Sequence, residues 1–223
     1  MTPFFFGTGG ARLFGIHSPP LGSDRHFGLV MCYPFGDEYY AAYAAFRSLS
    51  DRVAARGLHV LRFDYPGTGD SAGEIEDFGA DDWLDSVDQA IDELRELAQL
   101  DHVALAGLRL GAAMARGAAL RRTDVSHLVM WDPADPAVDR PPCPQGLCGR
   151  LPARSHALGI RPARTLVVHC AAKRTDLDEV DSGAAGVTVA HRPGPLVWRP
   201  DQDWGRRGLP IDAFETMAGW LTA

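Results

Sequence analysis

One stretch constrains this chain more than any other: His102–Met114, HVALAGLRLGAAM. Val103–Ala106 is an apolar run of buried-strand length, Gly107-Leu108-Arg109-Leu110-Gly111 is a turn, and the alanines beyond it begin a helix. A strand that feeds a helix through Gly-x-x-x-Gly predicts an elbow. The glycines let the two backbones approach, and the tight turn lifts the middle residue out of the sheet. Catalytic versions of this turn carry a nucleophile there. Here the middle residue is Arg109, whose guanidinium stays protonated and does not attack. The stretch therefore speaks for a fold more clearly than for a reaction.

The segments around it fit one architecture. Phe4–Phe6 and Arg12–Ile16 read as short strands joined by the glycine turn Gly7–Gly10. Phe27–Tyr33, Leu58–Phe63, Leu128–Trp131, Thr165–Cys170 and Val187–His191 read as buried strands. Between them the spacing predicts helices at Asp37–Arg56, stopped by Gly57, at Asp81–Leu100, at Leu110–Arg121 and at Ile211–Leu221. The second of these places Leu84, Val87, Ile91, Leu94 and Ala98 on one stripe, with Asp88, Asp92, Glu93 and Glu96 elsewhere on the wheel. Strands alternating with helices predict an α/β fold, a mainly parallel sheet with helices on both faces. The expectation is one domain over residues 1–223, with the proline-rich stretch 134–162 as a reduced, irregular lid.

Composition narrows the class. The chain has 223 residues, 46% hydrophobic and 23% charged, enough for one well-buried α/β core. The net charge of −7, with no basic run, argues against a nucleic-acid partner. No apolar stretch approaches the length of a membrane span, and MTPFFFGTGGARLFG lacks the basic start and sustained apolar core of a signal peptide. A cytoplasmic, non-membrane protein is expected. Cys143 and Cys148 form a C-x4-C pair in a Pro/Gly-rich loop, but no second ligand pair accompanies them, so no metal site is expected. Neither G-x-G-x-x-G nor a Walker loop occurs, so no cofactor is expected.

Four motifs carry a family likeness: YPFG after the third strand, FDYPGTGDSAG after the fourth, GLRLGAA at the elbow and WDP after the sixth. Across nearly its whole length the chain resembles the α/β-hydrolase superfamily, and FDYPGTGDS is similar to the Asp-x-x-Gly-x-Gly-x-Ser loop of serine-aminopeptidase-like members. GLRLGA together with FDY-x-G-x-GDS resembles a subgroup of hydrolases found beside exosortase and biosynthetic systems. The resemblance implies a nucleophile–acid–His triad in chain order. It puts Arg109 at the nucleophile position. It puts Val197, or its neighbours Leu196 and Trp198, at the His position after Pro193-Gly194, and Asp176 or Asp178 in the acid region. It also implies an oxyanion hole from the Leu110 N–H and an N–H of the Tyr33–Gly36 turn, beside Phe35 and Gly36.

Several roles follow as expectations. Arg109 either binds a carboxylate, phosphate or acyl carbonyl, or folds into an ion pair with Glu38, Asp37 or Asp132. Glu38 is either a general base beside that cation or a solvated first-turn residue. Asp132 is an alternative acid or an Arg109 partner. His191 is the histidine placed best to swing into the site; His169 and His17 read as structural. Cys32 reads as a core thiol rather than a displaced nucleophile, and Asp64 and Asp70 as architectural. Trp198 and Trp204 form either a pocket wall or the filling of the space a missing His leaves. The expected ligand is a small acyl, carboxylate or thioester-linked molecule, held by Arg109, Phe35, Gly36, Leu110 and Trp198. It would undergo non-serine chemistry (cyclisation, elimination or acyl transfer) in a biosynthetic pathway. The other expectation is an inactive pseudo-hydrolase that works as a binding or partner subunit. The oligomeric state stays open.

Overall fold

The computed structural model describes residues 1–7, 12–134, 164–170, 186–199 and 208–223. Eight strands form one sheet: β1 (Thr2–Phe6), β2 (Leu13–Ser18), β3 (Gly28–Cys32), β4 (His59–Phe63), β5 (Val103–Leu108), β6 (Val125–Trp131), β7 (Arg164–His169) and β8 (Val187–His191). Their order is β1-β2-β4-β3-β5-β6-β7-β8. β1 and β2 run antiparallel at one edge, and the strands from β4 to β8 are parallel. Four α-helices are described: α1 (Asp37–Ala54), α2 (Ala80–Ala98), α3 (Leu110–Arg121) and α4 (Ile211–Leu221). The expected mainly parallel sheet with its helices is found. Strand ends moved by up to three residues: β5 continues to Leu108 and β6 begins at Val125. Ladder pairing of Leu108 with Trp131 and of Val103 with Val125 accounts for the added length.

The central parallel strands β3 and β5 read as unbroken apolar runs because both of their faces are covered. β3 and β5 are buried at every residue. α2 turns Trp83, Val87, Ala90, Ile91 and Leu94 to the core. The Asp82 carboxylate accepts a 2.8 Å hydrogen bond from the Gly79 amide at the entry of α2, which satisfies one of the donors a helix start leaves over. The parallel arrangement brings the C-terminal ends of β3, β5, β6 and β7 to one end of the sheet, and the turns that follow those ends build the site. Cys143, Cys148, Asp176, Asp178, Trp204 and nearly all of the expected lid lie outside the described residues.

Candidate functional site

The elbow is formed by two glycines and one strained residue. Arg109 sits between β5 and α3 at φ 56, ψ −118, a backbone conformation L-residues rarely adopt unless their surroundings enforce it. Its own peptide supplies the enforcement. The Arg109 amide donates to the Trp131 carbonyl at 3.1 Å, and its carbonyl accepts from Ala112 at 3.1 Å and Ala134 at 3.4 Å. A Cβ on Gly107 would lie 2.1 Å from the Gly111 carbonyl oxygen, and one on Gly111 would lie 2.2 Å from that of Cys32. Both glycines are therefore required for strand, helix and the turn after β3 to meet.

The side chain of Arg109 does not reach into solvent; the residue is 6% exposed. Its Nε donates to Glu38 Oε1 at 3.3 Å. Its Nη1 donates to the Asp132 backbone carbonyl at 3.4 Å. Its guanidinium carbon lies 4.0 Å from the centre of the Trp198 ring, a close cation–π stack. Glu38 stands in the first turn of α1 and is itself buried. The solvated reading of Glu38 is thus corrected: the turn after β3, with Gly36 at φ 61, aims this first-turn carboxylate at the elbow. The mutual pairing offsets part of the desolvation that each charge would suffer alone.

Asp132 ends β6 at φ 37. Its Oδ1 accepts from the Cys170 amide at 2.8 Å, and its Oδ2 accepts from the Trp198 indole N–H at 3.3 Å. An aspartate at a strand end thus orients a ring, and that ring lies on the residue at the elbow. The ring is an indole and the elbow residue a cation. Trp198 is half-buried and caps Arg109, with Val197 buried beside it. His191 goes elsewhere. Its ring stacks on His169 at 5.4 Å across the β7–β8 register, three strands along from β5.

The two described thiols are poor nucleophiles. Burial pushes Cys32 up to about 12. Burial, helped by the Asp132 charge, does the same to Cys170, up to about 12. A thiol held protonated neither attacks nor ligates a soft metal. Cys170 accepts the Trp131 indole N–H at 3.3 Å, a contact that sequence reasoning missed; its one signal was the position of Cys170 at a strand end. Asp64 is architectural as expected: it accepts from the Asp70 amide at 3.1 Å and from the Tyr39 hydroxyl at 2.8 Å. Among the described residues no cluster of His, Cys, Asp or Glu is arranged to hold a metal ion, and no helix is long and apolar enough to cross a membrane. Phe35 and Gly36 do line a groove, of about 240 Å³, with Tyr39, Tyr40, Tyr65 and Thr68.

Comparison with known proteins places this architecture. A lidless α/β serine hydrolase from Xanthomonas campestris superposes with a TM-score of 0.72 at 18% identity, covering 100% of this chain and 95% of its own. A Butyrivibrio proteoclasticus protein seen with ferulic acid bound gives 0.69 at 15% identity, over 98% and 96%. The thioesterase domain of the curacin biosynthetic pathway gives 0.67 at 16%, over 100% and 99%. The fold is that of the α/β-hydrolases. No family model and no curated protein matches the sequence. In the α/β-hydrolase frame, Arg109 occupies the apex of the strand-to-helix elbow, and Leu110 follows it as the first residue of α3.

Proposed function

We propose that this chain is an α/β-hydrolase-fold protein that does not hydrolyse by serine chemistry and acts as a binding or partner subunit. One observation carries the reading: Arg109, at the elbow apex, is buried, paired with Glu38 and capped by Trp198. A permanent cation at the apex cannot form an acyl-enzyme. An indole on its face, held by Asp132, offers no proton acceptor in place of an imidazole. The test is turnover of a panel of feruloyl and simple carboxylic esters, acyl thioesters and activated amides by wild type and Arg109→Ala. The ester and thioester arms are chosen from the fold neighbours. Neither protein should exceed the uncatalysed rate, and a fluorophosphonate probe should not label the wild type. Wild-type turnover that disappears in Arg109→Ala would overturn the reading.

A second reading has its own support. The groove at Phe35 and Gly36 opens beside the turn that, by resemblance, supplies an oxyanion N–H. Arg109 is not among the residues that line the groove, so a small acyl or carboxylate molecule would have to extend past Gly36 to compete with Glu38 for it. Glu38, once displaced, would be a general base for elimination, cyclisation or acyl transfer in a biosynthetic pathway of the kind the exosortase-linked subgroup suggests. Thermal stabilisation by small carboxylates or acyl thioesters in wild type, absent in Arg109→Ala, would select this reading over the first.

A further inference from the structure

The groove beside the turn after β3 has a chemistry of its own. It runs between Pro34–Gly36, the first turn of α1 and the loop after β4, and Arg109, Glu38, Asp132 and Trp198 are not among the residues that line it. No lining residue carries a charge. The hydroxyls in its walls are mostly committed. Tyr39 donates to Asp64 Oδ1 at 2.8 Å, Tyr65 to the Tyr33 carbonyl at 3.3 Å and Thr68 to the Tyr65 carbonyl at 2.8 Å. Burial raises the phenol pKa of both Tyr39 and Tyr65, so neither ionises to supply a charge. The amides of Tyr39, Gly67 and Thr68 donate to the carbonyls of Gly36, Ala72 and Tyr65. Tyr40, 63% exposed, keeps the one lining hydroxyl with no partner among the described residues. A charged guest would lose water here and gain no counter-charge, a far larger cost than an uncharged guest meets.

The walls are aromatic and held in place. Phe35, Tyr39, Tyr40 and Tyr65 line the groove, with Pro34 and Ile75. Buried Trp83 holds two of these rings: it stacks on Tyr65 at 4.5 Å with the planes 5° apart, and meets Phe35 edge-on at 5.4 Å. The facing loop closes tightly on itself, since a Cβ on Gly67 would lie 2.7 Å from the Ile75 Cα. The Ala72 amide ties that loop to the Arg12 carbonyl at 2.9 Å. Aromatic walls favour a guest that meets them by offset stacking or edge to face, and walls already fixed lower the ordering cost of binding. Volume sets the size. A cavity of about 150 Å³ accommodates benzene, and pockets for drug-sized ligands begin near about 300 Å³. The groove, at about 240 Å³, falls between them. We propose that it binds an uncharged aromatic ring system, one ring or two fused rings, with a hydroxyl or ether oxygen toward Tyr40. The inference rests on the second reading in taking the groove as a ligand site, and goes beyond it in naming a guest that needs no cation.

The test is isothermal titration calorimetry of the full chain with 2-naphthol, 2-naphthoate and decahydro-2-naphthol. 2-Naphthol should bind at a single site. 2-Naphthoate, the same rings with a charge, should bind more weakly by about tenfold or more. The saturated alcohol should bind about threefold to tenfold more weakly, the worth of the aromatic contacts. Tyr40→Phe should weaken 2-naphthol about threefold to tenfold, the worth of one hydrogen bond. Ile75→Glu, which sets a charge in the wall, should abolish binding. Circular dichroism melts separate loss of binding from loss of folding, and Tyr40→Phe, altered at an exposed position, keeps the test open if Ile75→Glu does not fold. Absence of 2-naphthol binding, or equal binding by wild type and both variants, would overturn the proposal while the second reading still stood on its carboxylates. Tighter binding of 2-naphthoate than of 2-naphthol, with the preference lost in Arg109→Ala, would overturn the uncharged guest and select the second reading. 2-Naphthol bound as expected, with no stabilisation by carboxylates or acyl thioesters, would support the proposal and remove the Glu38 chemistry alone.

Discussion

Arg109 and Arg62 are both sunk into the molecule, and they are held in opposite ways. Arg109 has a carboxylate at 3.3 Å, a backbone carbonyl and an indole face. Arg62 makes no ion pair among the described residues. Its Nη1 donates to the Tyr33 hydroxyl at 3.0 Å, and its charge lies 5.8 Å from the Tyr43 ring. The Asp64 charge acts on it only at longer range. Burial raises the Asp64 pKa, opposed by the Asp70 amide and the Tyr39 hydroxyl; Tyr33 rises to about 12, mainly through burial. The difference shows that a buried guanidinium is accommodated either by a charged partner or by neutral phenols and rings.

That contrast sets the order of mutational effects. Arg109→Ala takes the guanidinium away from buried Glu38, and stability should fall by about 1.5–3 kcal/mol, the worth of hydrogen bonding to a charged group, read from urea unfolding. Replacing both partners, Arg109→Met with Glu38→Leu, should recover most of that loss. A single-variant loss comparable to one exposed ion pair would break the comparison. Arg62→Met should lose about 1 kcal/mol, the worth of the bond to Tyr33, since no carboxylate loses its ion-pair partner. If it matched Arg109→Ala, the phenol cage would have to be the stronger holder.

The smallest effect concerns pH. His17 follows Ile16 on β2, and its Nε2 lies 3.1 Å from His59 Nδ1, while His59 Nε2 lies 3.1 Å from Asp24 Oδ2. Burial first, then the His59 charge and the N-terminal amine, lower His17 from 6.5 to about 4. The folded state therefore disfavours the proton. This contribution to stability is complete above pH 6.5 and is lost as pH falls from 6.5 toward 4. The unfolding midpoint should drop across that window, and His17→Asn should flatten the drop. An unchanged slope in the variant would assign the pH dependence to other groups.

Much of the fold was legible because it rests on local signals. Apolar runs of strand length, the α2 stripe and the Gly107/Gly111 spacing each report their own geometry. The site was legible in part. Arg109 is readable as an apex cation from the turn alone, and Glu38 as a candidate partner from its place after Gly36. The choice of Glu38 over Asp37, the capture of Trp198 by Asp132, and the stacking of His191 on His169 depend on contacts between segments far apart in sequence. No periodicity encodes those. The recess that Arg62 shares with Tyr33, Tyr39 and Tyr43 was invisible for the same reason: Arg62 falls within an apolar strand, and only the tertiary packing shows it facing three tyrosines.

The hydrogen bonds that fix the Arg109 backbone have one further consequence. Its amide and carbonyl fasten β6, the start of α3 and Ala134 to one another, and none of these bonds involves the side chain. Backbone conformation and side-chain identity are thus decoupled at this position. The apex works as a fixed socket: its backbone bonds survive a change of side chain, while the side chain installed there still has to satisfy Glu38 and Trp198.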